Sequence, residues 1–203
     1  MSIRIESNFI DYYDHLQDTS SMKIYHRNDN MQLDRGRIFI TLNKMGIRCL
    51  ELKQVSYQPY TVKNVVVYTD TKAHHSEGKK IMDISSALCS YQTYPSAEWF
   101  TRQDGITLKI LSIGKRRFSM YFRNNDEMSA EKGVLIDIKE IPGGYNDFLK
   151  VPIYSIDYIA HDNEWIATDL NLIERLSDYG LRSLIDSHEV IKEIETAIDY
   201  YNR

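Results

Sequence analysis

Two runs of alternating apolar and polar residues dominate the middle of the chain. Ile106, Leu108 and Ile110 recur at every second position, and so do Phe118, Met120 and Phe122 after "SIGKR". Period-two alternation places one side-chain set on each face of a strand. Residues 106–123 therefore predict a β-hairpin turning at Gly114, with its basic tip in solvent. "RIFITL" (37–42) and "IRCLELKQ" (47–54) read as two strands joined by "NKMG". "NVVVYTD" (64–70) is a β-branched run suited to a buried strand. "GVLIDIKEI" (133–141) reads as a strand ended by Pro142 and Gly143-Gly144. "VPIYSIDYIAHD" and "EWIATDLN" read as two more, joined by a turn at Asp162-Asn163.

Helical spacing appears nearer the ends. Ser7 is suited to cap a short helix over "NFIDYYDHLQD", with Phe9, Tyr13 and Leu16 on one face. Ile81, Ile84, Leu88 and Tyr91 predict a helix over 79–91, and "SAEWFTRQ" a helical turn capped by Ser96. Ser187 and Glu189 open a C-terminal helix in which Val190, Ile194, Ala197, Ile198 and Tyr201 form one apolar stripe. That stripe is expected to dock on the sheet. Strands in the middle and helices at the ends predict a single α+β domain over 1–203, with a central, largely antiparallel sheet.

Composition narrows the class of protein. With 203 residues the chain can bury a substantial core. Its net charge of −4 is unlike the basic balance of a dedicated nucleic-acid binder. Cys49 and Cys89 lack a second cysteine at zinc or redox spacing and read as buried free thiols of a reducing cytoplasm. The first residues carry no signal-peptide pattern, and no apolar run is long enough to span a membrane. The expected location is the cytoplasm, without membrane association.

Four stretches carry candidate chemistry. In "DTKAHHSEGKK" (70–80), His74 and His75 are adjacent and flanked by lysines, an arrangement that reads as a solvated loop without a metal. Asp11, Asp14, His15 and Asp18 fall at helical spacing, where they form either an acidic outer face or hard ligands for Mg²⁺ or Mn²⁺ in a phosphodiester hydrolase. Lys109, Lys115, Arg116, Arg117 and Arg123, with Tyr121, concentrate positive charge on the 106–123 hairpin, the alternative being nucleic-acid binding through that ribbon. Asp169 and Asn171, at a strand end, read as caps of the following segment. Phosphate-loop, dinucleotide and nucleophile-elbow motifs are absent.

The opening "SNFIDYYDHL" and the closing "WIATDLNLIERLSDYGLRSLIDSHEVIKEIE" resemble a group of uncharacterised bacteriophage and bacterial proteins. These share an N-terminal F-x-D-Y-Y-D helix and a C-terminal strand, D-x-N element and amphipathic helix, here Asp169, Asn171, Gly180 and residues 187–201. The resemblance implies a phage- or prophage-type accessory factor, acting in the host bacterial cytoplasm. With no catalytic constellation in view, the expectation is a non-catalytic protein without cofactor that binds a host protein or another copy of itself.

Overall fold

The computed structural model describes residues 34–71, 78–100, 105–123, 133–172, 185, 187–201 and 203. The expected N-terminal helix, with Asp11, Asp14, His15 and Asp18, lies outside the described residues, as do His74 and His75. The elements are α1 (Arg35–Lys44), β1 (Lys53–Gln54), β2 (Asn64–Tyr68), β3 (Lys79–Asp83), α2 (Ile84–Ser90), β4 (Pro95–Glu98), β5 (Ile106–Ile113), β6 (Arg116–Arg123), β7 (Val134–Ile141), β8 (Ile153–His161), β9 (Glu164–Asn171) and α3 (Ser187–Tyr201). The class is α+β, as expected. The strands form two antiparallel sheets rather than one, a four-stranded sheet ordered β1-β4-β2-β3 and a five-stranded sheet ordered β7-β6-β5-β8-β9.

The alternating runs fold as read. β5 and β6 pair in full register from Ile106↔Arg123 to Ile113↔Arg116. Gly114 turns the chain at φ 57°. β8 and β9 pair around Asp162 and Asn163, whose φ values of 49° and 62° suit a two-residue hairpin.

At the basic hairpin tip Lys115 stands in solvent as expected, 61% exposed, but Gly114 and most of Arg116 are covered. α3 sits against the tip, and a Cβ on Gly114 would lie 2.7 Å from the Glu193 carbonyl oxygen. Arg116 is held by Glu140 at 2.7 Å and by Glu189 at 2.8 Å. α3 docks as its stripe predicts. Val190 is buried in a cluster with Leu111, Ile113, Phe118 and Ile153, and Ile194 packs against that cluster.

Five local readings are corrected. Residues 37–42 are helical, because Asp34 accepts a hydrogen bond from the Arg37 amide at 2.9 Å and caps the segment. Ile38, Phe39 and Leu42 are buried while Ile40 is 56% exposed, a helical pattern that alternation cannot produce. Residues 79–91 divide at Asp83 into β3 and α2, since the Asp83 carboxylate receives the Ser86 amide at 2.9 Å. The start of "SAEWFTRQ" is sheet, β4 ending at Glu98, with Ser96 fully buried between β1 and β2 and bonded to Gln58 Nε2 at 2.9 Å. Of the expected 47–54 strand only Lys53–Gln54 is regular, with a bridge from Cys49 to Ala167. Both cysteines are free, but Cys89 is exposed where burial was expected.

α1 joins the two sheets. Its Ile38, Phe39 and Leu42 share one cluster with Val66, Tyr68 and Ala97 of the smaller sheet and with Tyr154, Ile156, Ile159 and Ile166 of the larger. Leu42 is fully buried there. Leu42→Ala is therefore expected to cost about 2–5 kcal/mol of unfolding free energy, read by urea denaturation. A loss below about 0.5 kcal/mol would show that α1 is peripheral to the core.

Candidate active site

One face of the larger sheet carries a row of polar side chains where an apolar core is the rule. Register places Lys109 opposite Asp157, Asp157 opposite Asp169, and Ser155 opposite Asn171. Directly opposed residues in antiparallel strands hold their Cβ atoms about 4.5–5.5 Å apart. Two carboxylates therefore stand side by side. A bulge at Thr168 sets this register, and its hydroxyl bonds the Asp157 carbonyl at 3.3 Å.

Each carboxylate has its own cation. Lys109 Nζ lies 3.2 Å from Asp157 Oδ1 and donates to Ser155 Oγ at 3.4 Å. Arg35 Nη1 lies 2.6 Å from Asp169 Oδ1. Asn171 Nδ2 donates to the other Asp157 oxygen at 3.4 Å, which turns its carboxamide toward the pair. Arg35 and Lys109 are only 2% and 6% exposed. Cations buried to this extent persist only when paired, because removing either partner leaves an uncompensated charge.

The smaller sheet reaches the same place. The Arg35 guanidinium lies over the Tyr68 ring at 5.9 Å, and the Arg35 amide donates to the Thr71 carbonyl at 3.0 Å. Burial alone would raise the Asp169 pKa. The charge and hydrogen bond of Arg35, with a contribution from Lys79 on β3, outweigh it and hold the carboxyl below its ordinary value. Burial likewise pulls the Arg35 guanidinium down, but Asp169 more than compensates and it is raised. The Tyr68 phenol is pushed up by burial. The site is thus an electroneutral set of two acids and two bases at the seam between the sheets.

Asp157, Asp169 and Asn171 supply oxygen donors only. Such a set fits a hard divalent cation such as Mg²⁺ or Mn²⁺. Among the described residues no group of three or more His, Cys, Asp or Glu side chains converges, so a soft-metal site of the zinc type is not built here.

The residues singled out from sequence are dispersed. In β6, alternation sends Arg116 to one face and Arg117, Tyr121 and Arg123 to the other. Lys109 is buried in the cluster, and Lys115 lies beside Glu193 of α3 at 4.0 Å. Tyr121 packs against Trp165, with ring centroids 6.1 Å apart. The ribbon is interior to the sheet rather than free to enter a groove. Asp169 and Asn171 bond Arg35 and Asp157, and the segment they were expected to cap lies outside the described residues. Asp157 and Arg35 were missed. Asp157 was findable, since it and Asp169 flank the Asp162-Asn163 turn at nearly equal spacing, separated from exact symmetry only by the bulge. Arg35 gave no signal, because its helix was read as a strand.

No protein-family model matches the sequence, and no curated protein matches it. The fold is similar to solved structures. D-alanine–D-alanine ligase from Bacillus anthracis complexed with ATP aligns at TM-score 0.51 and 11% identity, over 83% of this chain and 67% of that one. Carboxyaminoimidazole ribonucleotide synthase from Aspergillus clavatus complexed with ATP aligns at TM-score 0.50 and 9% identity, over 81% of this chain and 50% of that one. At such identities the likeness is one of fold. It overturns the expectation of a non-catalytic accessory protein, which rested on the lack of a visible catalytic constellation and on the resemblance to phage and bacterial proteins. The architecture is one that enzymes use, and the polar row is assembled from α1, β5, β8 and β9, which are distant in sequence.

Replacing Arg35 by Met keeps the length of the side chain and removes its charge. Arg35→Met is expected to cost about 3–5 kcal/mol at neutral pH, because Asp169 loses its nearest cation and keeps only the Leu170 amide and the more distant charge of Lys79. The folded Asp169 pKa lies below its unfolded value, so its contribution to stability is present above the unfolded pKa and is lost as pH falls through the folded one. The gap between wild type and variant should therefore narrow on acidification, as followed by urea unfolding across pH. Equal stabilities at neutral pH would contradict the pairing.

Proposed function

We propose that the protein is an ATP-dependent enzyme of the ligase type, which binds a nucleoside triphosphate with a divalent cation at the seam between its two sheets. The observation that carries this reading is the charge-balanced row of Asp157, Asp169, Asn171, Lys109 and Arg35. It lies in a fold similar to two enzymes whose structures contain ATP.

In this reading Asp157 and Asp169 hold the cation, with the Asn171 carboxamide as third ligand. A bound divalent cation offsets phosphate charge and polarises a phosphoryl oxygen. Lys109 and Arg35 face the phosphate anions, the lysine as a point charge and the guanidinium as a planar fork. Lys79 adds positive potential from the smaller sheet. Burial of the row excludes water, so each charge acts in a low-dielectric setting. Asp169, held ionised by Arg35, is ready to accept a cation without first losing a proton.

The chain spans about two thirds of the ligase and half of the synthase. The molecules that would be joined are therefore left open by the comparison. Titration calorimetry with ATP in the presence and absence of Mg²⁺ tests the reading. Binding should require Mg²⁺, and Asp169→Asn and Asp157→Asn should each weaken it by about tenfold or more. Failure of ATP to bind at millimolar concentration, or binding that both variants leave unchanged, would overturn it.

A further inference from the structure

A cavity of about 340 Å³ opens on the opposite face of the larger sheet, away from the charged row. Its walls come from the residues just after α1 (Met45, Ile47), from β5 and β8 (Ile110, Ile156) and from the segment after β7 (Asn146, Phe148). Arg117, Tyr154 and Tyr158 add polar groups to this apolar lining. The volume is that of a small-molecule site, and the mixture of apolar walls with a few convergent polar groups is typical of one.

Four side chains give the cavity an anion-seeking end. Arg117 has no carboxylate partner among the described residues, and no acidic residue lines the cavity. Ser112 stands opposite both Arg117 and Tyr154 in the register, so all three share one face. It lies beneath the lining rather than in it, 1% exposed, and its hydroxyl has no hydrogen-bond partner among the described residues. A buried hydroxyl left without a partner carries a desolvation cost that a ligand acceptor would relieve. The Tyr154 hydroxyl accepts from Asn146 Nδ2 at 3.2 Å, and its own proton remains to be donated. Burial pushes the Tyr158 phenol up to about 12, so it too stays a donor at neutral pH.

The wall formed by Asn146 and Phe148 depends on one glycine. A Cβ at Gly143 would lie 2.3 Å from the Lys115 carbonyl oxygen and 3.1 Å from the Arg117 Cβ. Only glycine lets the chain cross this close to β6 before folding over the cavity. Asn146 then fixes the segment, its side-chain oxygen accepting from the Phe148 and Leu149 amides at 3.0 and 2.9 Å.

We propose that this cavity is a second ligand site, which takes a small apolar carboxylate. Its anionic head lies toward Arg117 and Tyr154, with the Ser112 hydroxyl beneath and between them, and its body against Met45, Ile47, Ile110 and Ile156. The assignment does not depend on the nucleotide reading. Ile110 and Ile156 occupy the face opposite Lys109 and Asp157, so the sheet itself separates the two sites. A ligand held here lies out of reach of the charged row.

The test uses hexanoate and its uncharged analogue hexanamide, titrated into the full chain and followed by calorimetry and by amide chemical shifts in β5 and β8. Hexanoate should bind about tenfold tighter than hexanamide, because only the carboxylate makes charge-assisted bonds. Arg117→Gln should abolish that preference, and Ser112→Ala should weaken hexanoate while leaving hexanamide unchanged. ATP with Mg²⁺ should not displace hexanoate. The Ser112 variant keeps the test decisive if Arg117→Gln does not fold. Absence of binding, equal binding of the two probes, a preference that survives both substitutions, or displacement by ATP would each overturn the proposal.

Discussion

The structure depends on charge balance at one buried seam. Arg35 and Lys109 neutralise Asp169 and Asp157, and neither cation is more than a few percent exposed. A buried ion pair is seldom a strong source of stability compared with apolar packing, since the cost of desolvating both charges offsets their attraction. Retaining two such pairs therefore needs another explanation. Around them the protein is well packed, with α1 carrying Ile38, Phe39 and Leu42 into a core common to both sheets. Fold stability rests on that core, and the charged row is fixed within it. A site held by rigid strands and a packed helix keeps its side chains in a defined geometry, which is what phosphate and cation chemistry require.

Arg35 links the two levels. As the first residue of α1 it is placed by the Asp34 cap, and it reaches Tyr68 of one sheet and Asp169 of the other. Its pairing holds Asp169 ionised, and Asp169 is one of the carboxylates available to a cation. A ligand entering the seam must therefore compete with, or recruit, a group that also ties the sheets together. Binding at the seam and the relative stability of the sheets are thermodynamically linked for that reason.

Much of the fold was legible from sequence where one period dominated. The β5–β6 and β8–β9 hairpins follow from alternation together with Gly114 and Asp162-Asn163. The α3 stripe follows from helical spacing. The errors fell where composition and context disagreed. Residues 37–42 are rich in β-branched and aromatic side chains, yet the Asp34 cap and burial against two sheets make them helical. Ser96 looked like a cap but fills the interior of a sheet. The site was harder to read, because its members come from α1, β5, β8 and β9 and only the register brings them together. Lys109 was noticed as part of a basic ribbon, and Asp169 with Asn171 as caps. Their actual partners, Asp157 and Arg35, lie on strands and helices that local patterns do not connect.

The central claim is that Asp157, Asp169 and Asn171 form a divalent-cation site at the seam. Paramagnetic broadening by Mn²⁺ tests this without relying on turnover. In the presence of a non-hydrolysable ATP analogue, substoichiometric Mn²⁺ should first broaden the amide signals of residues 155–157 and 169–171, and excess Mg²⁺ should restore them. Broadening spread over the exposed acidic side chains, with those strands unaffected, would contradict the account.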